Sequence, residues 1–297
     1  MPIEFMKREF LAPRYWPIWC LFGLQRVVVL LPWSVQRMFG RAVGTLARHI
    51  ASRRREIAAS NLALAYPRLS REEREYLLRA HFTELGIGLL QIGMAWWASD
   101  RRISRLLDIS GLEHLPAADA PAPTFLVSGH FTTIDMVGRG INLYGRMDAL
   151  HRPLGNPLVD AIMRVGRRRC ADVLIDKHNP KALLARLKDK HTLWVAVDQA
   201  DTTQSSVEAP FFGVPAATNT TVSRLAGRYD ASVLPVSCIR QPNGRFLLQV
   251  EPPVTGLGGD PVADAEQLNR IVERHVAKAP AQYYWIHRRF KSRAAVT

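Results

Sequence analysis

The sequence predicts an α/β protein with a mixed, largely parallel sheet flanked by helices, preceded by an N-terminal membrane-anchoring helix and a helical subdomain. Three observations carry this expectation. From about residue 109, short β-type apolar runs alternate with helical segments, the pattern of strands joined by helical crossovers. Residues 34–98 show helical spacing without such runs. Before them, residues 15–33 form an apolar stretch with Trp and Pro at both ends. With 297 residues, 47% of them hydrophobic, the chain can bury a large core. The expected division is an anchor at 1–34 and one larger domain at 35–297, helical over 35–108 and α/β over 109–297.

The elements follow in order. In the anchor, Trp16 and Trp33 suit membrane interfaces. Only 14 residues lie between Pro17 and Pro32, however, and Gln25-Arg26 interrupt them. A helix of that length is about 21 Å, short of the roughly 30 Å hydrocarbon core. The preferred reading is therefore a helix lying in the interface or dipping shallowly, then a short span, then a core helix with a stray Arg. The residues that follow offer no small-x-small signal cleavage site, and Arg53-Arg54-Arg55 favour the cytoplasmic face. Residues 34–66 read as helix. Ser70-Arg71-Glu72-Glu73 has the form of a capping box and starts a helix to about residue 80. Residues 82–98 form another, ending at Trp96-Trp97, whose glycines permit close packing. A strand and turn are expected over 109–115, and strands at about 124–128, 173–175, 192–197, 232–236 and 246–250. Helices are expected at about 135–144, 157–168, 180–188, 220–228 and 262–278.

Charge narrows the partners. The net charge is +14, and residues 1–55 hold ten Lys/Arg against two Glu, or +8 of it. The segment His287 to Arg293 adds a second basic run. Such a balance suits an anionic membrane surface, an acidic protein or nucleic acid. No basic-aromatic recognition motif supports nucleic acid. Cys20, Cys170 and Cys238 are too scattered for a zinc site or a disulfide framework, which points to a reducing compartment.

The strongest chemical signal is Ser128-Gly129-His130-Phe131-Thr132-Thr133-Ile134-Asp135. An apolar strand ends in Ser-Gly, a His follows, and a carboxylate sits five residues on. Catalytic groups of open α/β sheets gather at the carboxyl ends of strands. With a helix starting near His130, Asp135 can orient the imidazole and leave the other ring nitrogen free to take a proton from an alcohol. Taken by itself, a His-x4-Asp spacing also arises by chance.

Several segments together carry a family resemblance. They include Leu11 to Pro17, Ala95-Trp96-Trp97, Gly111 to Leu115 and Ser128 to Asp135. His151-Arg152-Pro153 with Asn156-Pro157-Leu158, Pro210 to Thr218 and Tyr283 to Lys291 complete the set. In this order, over nearly the whole chain, they resemble the late lauroyl/myristoyl acyltransferases of lipid A biosynthesis, within the glycerolipid acyltransferase-like superfamily. The resemblance implies a glycerol-phosphate acyltransferase-like fold. It also implies acyl transfer from acyl carrier protein to a hydroxyl of a lipid A precursor at the cytoplasmic face of the inner membrane, without cofactor, metal or covalent acyl-enzyme.

Residue by residue, the resemblance makes His130 the general base and Asp135 its orienting partner, where the lipid A branch more often has Glu. Arg152 matches a position near the acceptor's phosphate or the reaction centre, a task for which the guanidinium fork is suited. In the run Arg167-Arg168-Arg169 it is Arg169 that best matches a family arginine and is assigned to substrate binding. Lys177 stands where the superfamily often has Arg. Asp198-Gln199 end a strand, and Asp198 either supports His130, binds the acceptor or caps a turn. The family often has a further acidic residue after this pair, where this sequence runs Ala200-Asp201. Ser205 to Thr218 resembles an acceptor or acyl-pocket loop, with Phe211 and Phe212 as wall. Two other readings stay open: the same chemistry on another membrane glycolipid, phospholipid or aminolipid, and a non-catalytic protein retaining the fold.

Overall fold

The computed structural model describes residues 7–117, 119–200 and 205–290. Four helices lead: α1 (Trp16–Leu30), α2 (Trp33–Ile50), α3 (Ser52–Ala65) and α4 (Arg71–Trp97). The expected helix over 34–66 is broken at Ala51, which leaves helical geometry with ψ near 57°. Neither Gly nor Pro marks that break. The two helices expected between 70 and 98 are one, of 27 residues. It starts at the expected capping box: the Ser70 side chain accepts from the Glu73 N–H, and Glu73 returns a bond to the Ser70 N–H at 2.7 Å.

Helices α2 and α4 cross backbone against backbone. A Cβ on Gly86 would lie 2.1 Å from the Gly40 carbonyl oxygen, and one on Gly44 would lie 2.2 Å from that of Phe82. No side chain fits there, which explains why a helix as glycine-rich as α4 persists despite its propensity cost. No described helix is long and apolar enough to cross a membrane. The spanning option for residues 15–33 is therefore not supported, and α1 packs against α4 along one side.

After the short α5 (Asp100–Ser104) the chain forms a seven-stranded sheet. Its strands are β1 (Leu107–Ser110), β2 (Thr124–Ser128), β3 (Asp148–His151), β4 (Leu174–Asp176), β5 (Thr192–Ala196), β8 (Ser232–Arg240) and β9 (Phe246–Val250). Between β5 and β8 lies a separate hairpin, β6 (Ser206–Phe211) and β7 (Val214–Asn219). The sheet order is β1-β9-β8-β2-β5-β3-β4. All neighbours are parallel except β8 and β9, so the expected mixed, largely parallel sheet is present. The helices α6 (Ile134–Ile141), α7 (Pro157–Arg167), α8 (Pro180–Lys188), α9 (Thr221–Tyr229) and α10 (Pro261–Lys278) flank it.

Two strand regions escaped the sequence reading. Strand β3 has four residues with a polar side chain at each end, too few for a periodic signal, yet it lies between β5 and β4. The hairpin turn is Phe212-Gly213, with φ of 52° and 73°. Both central residues are left-handed, as a two-residue hairpin turn of this hand requires. A Phe in that conformation is uncommon. It is held by its N–H, which donates to Glu273 on α10 at 2.6 Å, and by its ring, which packs on Tyr66 and Trp285.

Strand β2 is buried along its whole length at the centre of the sheet. One core cluster lies on its Leu126 side and includes Met94, Trp96, Met136 and Ile162. The other lies on its Phe125 and Val127 side and includes Phe211, Val272, Tyr283 and Trp285. Each large side chain so buried contributes about 1.5–3 kcal/mol. The second cluster is closed by the C-terminal segment. Arg289, 2% exposed, donates to the Ala217 carbonyl, the Thr218 hydroxyl and the Asn269 side chain. It ties the hairpin to α10.

The segment is also held from α4 by His81, whose Nδ1 lies 3.0 Å from the Ala281 carbonyl oxygen. Burial depresses the His81 imidazole to about 4 against a small opposing effect of that carbonyl, so the ring is neutral and Nδ1–H donates. The unfolded chain takes up this proton near pH 6.5, whereas the folded chain refuses it until about 4. Stability from His81 is thus full above the higher value and is lost as pH falls through the window, by roughly 3 kcal/mol. Urea unfolding from pH 7 to 4.5 should show this loss, and His81→Leu should flatten it. An unchanged slope in the variant would remove His81 from the account.

Candidate active site

Strands β2, β5, β3 and β4 are parallel neighbours, and their carboxyl ends share one edge of the sheet. His130 follows β2, Asp198 and Gln199 follow β5, Arg152 follows β3, and Lys177 follows β4. The topology therefore collects five of the seven sequence-selected residues at the edge where open α/β sheets place ligands. The connection leaving β2 runs to β3 on one side of it, and the connection leaving β5 returns to β8 on the other.

His130 sits in an irregular turn, because α6 begins only at Ile134 and not near His130. Gly129 before it has no room for a side chain: a Cβ would lie 2.8 Å from Val272 and 3.4 Å from Asp198. The imidazole is held by Asp198, not by Asp135. Nδ1 lies 2.5 Å from Asp198 Oδ1, and the His130 backbone N–H donates to Oδ2 at 2.8 Å. One carboxylate thus fixes both the ring and the main chain of the same residue. Asp198 is 3% exposed. Burial alone would raise its carboxyl. The charge and hydrogen bonds of His130, with a hydrogen bond from the Tyr283 hydroxyl, override this and hold it at about 2. An ionised carboxylate at Nδ1 makes that nitrogen the protonated one and leaves Nε2 with its lone pair. The Gln199 amide nitrogen lies 3.0 Å from Nε2 and donates to it.

Asp135 has other work. It accepts from Arg167 Nε at 2.8 Å and from the Trp96 indole at 3.1 Å. This buried joint locks the ends of α4 and α7 to the start of α6. It is packed so closely that a Cβ on Gly166 would meet the Trp96 ring at 2.4 Å. The helical geometry explains the correction: a carboxylate in the first turn of α6 points into the layer between α6 and α7, away from the strand end that carries His130. Arg169 is likewise elsewhere, paired with Asp100 together with Arg139. In the run 167–169 it is Arg167 that meets the motif. Sequence could not choose among three adjacent arginines, since only the last turn of α7 decides which one faces inward. Asp201 lies outside the described residues.

The C-terminal segment contributes more than its motif suggested. Tyr284 N–H donates to the His130 carbonyl at 2.9 Å, Thr132 N–H donates to the Gln282 carbonyl at 2.8 Å, and Phe131 pairs with Tyr283. The motif loop is therefore clamped by a short antiparallel bridge. The His287 ring lies 5.8 Å from that of His130, centre to centre. Burial, and then His130, hold its imidazole below the ordinary range. Tyr283 is buried, and burial together with Asp198 raises its phenol well above the usual value, so it stays a donor to Asp198. Tyr283→Phe should lower kcat about 5–30-fold with KM little changed, as expected for loss of one buried hydrogen bond to a charge. Equal kcat in the folded variant would show that Tyr283 does not help position Asp198.

A cleft of about 610 Å³ opens beside the dyad. Arg152, Lys177 and Gln199 line it, with apolar walls that include Phe125, Leu183, Val222 and Leu225. Its size and mixed lining suit part of a lipid-like ligand. The hairpin 206–219 reaches it only through Asn219, while Phe211 is fully buried and Phe212 packs among Tyr66 and Trp285. These rings are core, not cleft wall.

Fold, strand-end His130–Asp198 pair and cleft together form an α/β site with an imidazole near an apolar and cationic groove. The family described as bacterial lipid A biosynthesis acyltransferase matches residues 4–292, and the chain belongs to it. It is 37% identical to the lipid A biosynthesis palmitoleoyltransferase of Escherichia coli (strain K12), over 96% of this chain and 94% of that one. It is 36% identical to the lauroyltransferase of the same organism, over 95% and 94%, and 26% identical to its myristoyltransferase, over 96% and 90%.

Proposed function

We propose that this protein transfers a fatty acyl chain from acyl carrier protein to a hydroxyl of a lipid A precursor, at the cytoplasmic face of the inner membrane, with residues 1–34 as anchor. The observation that carries the reading is the His130–Asp198 dyad, whose Nε2 faces Gln199, a residue lining the cleft.

The acceptor hydroxyl displaces the Gln199 amide from Nε2 and gives that nitrogen its proton as its oxygen attacks the thioester carbonyl. The C–O bond forms and the carbonyl π pair moves to oxygen as an oxyanion. The tetrahedral intermediate collapses, the C–S bond breaks, and the thiolate takes the proton back from Nε2. Asp198 stays ionised throughout and stabilises the transient imidazolium. The displaced Gln199 N–H and the Arg152 guanidinium, both lining the cleft, are the donors assigned to the developing oxyanion. Arg152 and Lys177 at the rim suit the acceptor's phosphate and the acidic carrier protein. Arg167–Asp135 keeps the motif in place.

The test is acyl transfer by purified protein, using a panel of acyl carrier protein thioesters and a hydroxyacylated lipid A precursor, read by mass spectrometry. One added acyl mass supports the reading, and the preferred donor sets the chain length. Folded protein that transfers from no donor would refute this acceptor.

A further inference from the structure

Eleven of the eighteen large apolar side chains that are exposed among the described residues fall between positions 11 and 50. On α2, Gly40 and Gly44 face α4, while Phe39, Val43, Leu46 and Ile50 face solvent at spacings of four, three and four. This is a complete apolar stripe along a second helix, separate from the face that packs. Leu46 and Ile50 are 61% and 73% exposed. On α1, Trp16, Leu24 and Val27 are exposed likewise. The two helices meet α4 at neighbouring places: α2 at Gly86, and α1 at Leu89, whose carbonyl accepts from Gln25. Leu89 itself is exposed. A monomer in water rarely leaves so much apolar surface in one region.

The charge pattern names the occupant. Residues 10–55 contain eight Arg and no Asp or Glu. A two-fold contact between copies would set these arginines against their own images, which like-charge repulsion disfavours. An anionic bilayer offers apolar depth and negative headgroups together. Helix α1, with 15 residues, is about 22 Å long and too short to span.

We infer that α1 and α2 together form an in-plane docking face for an anionic membrane leaflet, with the α2 stripe carrying as much of the contact as the N-terminal anchor. The face lies directly behind the motif, because α4 supports both helices and also packs Gly88 on Thr132 and bonds Trp96 to Asp135. The inference extends the membrane part of the reading above, and its test does not depend on acyl transfer.

The experiment is flotation of the full chain, diluted from mild detergent, with vesicles of phosphatidylethanolamine and phosphatidylglycerol or of phosphatidylcholine alone. The wild type should float with the anionic vesicles and bind at least tenfold less to the neutral ones. Leu46→Glu/Ile50→Glu should lower binding to anionic vesicles at least tenfold with circular dichroism unchanged. Leu46→Trp/Ile50→Trp should raise it. Tyr76→Glu, an equally exposed site on α4, should leave it unchanged. Wild-type flotation by the folded Glu variant would overturn the inference, as would a Glu variant whose only change is from dimer to monomer. Loss of acyl transfer with flotation intact would instead strike the acyltransferase reading.

Discussion

Replacing His130 with Ala should lower kcat for acyl transfer about 10³-fold or more while the protein stays folded and binds its acceptor. The size follows from the role. A positioned base contributes about 10²–10⁴ to proton transfer, and His130 is the imidazole that Asp198 holds at Nδ1 with the cleft-lining Gln199 at Nε2. His287, the nearest ring, has its imidazole held low by burial and is not bonded to Asp198. The variant should fold, at some cost in stability because buried Asp198 loses a partner: the His130 side chain is part-exposed, and its main chain stays clamped by Tyr284 and Asp198. Steady-state kinetics beside thermal unfolding checks both halves. A folded His130→Ala enzyme within tenfold of the wild type would remove His130 as base.

Asp198→Asn should be nearly as damaging, at about 10²–10³-fold in kcat. The reason is tautomeric more than electrostatic. An amide nitrogen facing Nδ1 would donate to it, moving the ring proton to Nε2, the atom that must accept one. The substitution also removes the ionised acceptor for the His130 N–H, so the turn at Gly129 loses its second fastening. The pH profile separates the causes. Loss of the carboxylate removes what stabilises the imidazolium formed during transfer, so the activity that remains should follow pH differently from that of the wild type. A variant with wild-type kcat and profile would leave Asp198 as a structural acceptor only.

Asp198 and Asp135 together show what was legible in the chain. Strand β2 and the helices α7 to α10 could be read almost residue by residue, because an apolar run or a helical stripe bounded by Pro, Asn or Asp is a local signal. The motif's place at a strand end was legible for the same reason. The partner of His130 was only half legible. Asp135 is near in sequence and Asp198 is 68 residues away, and the pairing depends on β5 inserting between β2 and β3. Nothing local in Asp198-Gln199 states that order. Residue 167 shows the same limit: Arg167 and Arg169 differ only in where the last turn of α7 leaves them. The C-terminal clamp was quoted as a motif, but its use as a bridge across residues 130–132 is a tertiary fact. The break at Ala51 and the joining of α4 through His81 both rest on packing that propensity does not encode.

The most direct test of the central claim is a double-mutant cycle on acyl transfer with His130→Ala, Asp198→Asn and the double variant, measured as kcat on one donor and one acceptor. If the two residues act as one unit, the double variant loses no more than His130→Ala alone, because Asp198 contributes only through the ring it holds. Losses that multiply across the pair would contradict the account, and would mean that Asp198 serves the acceptor independently of His130.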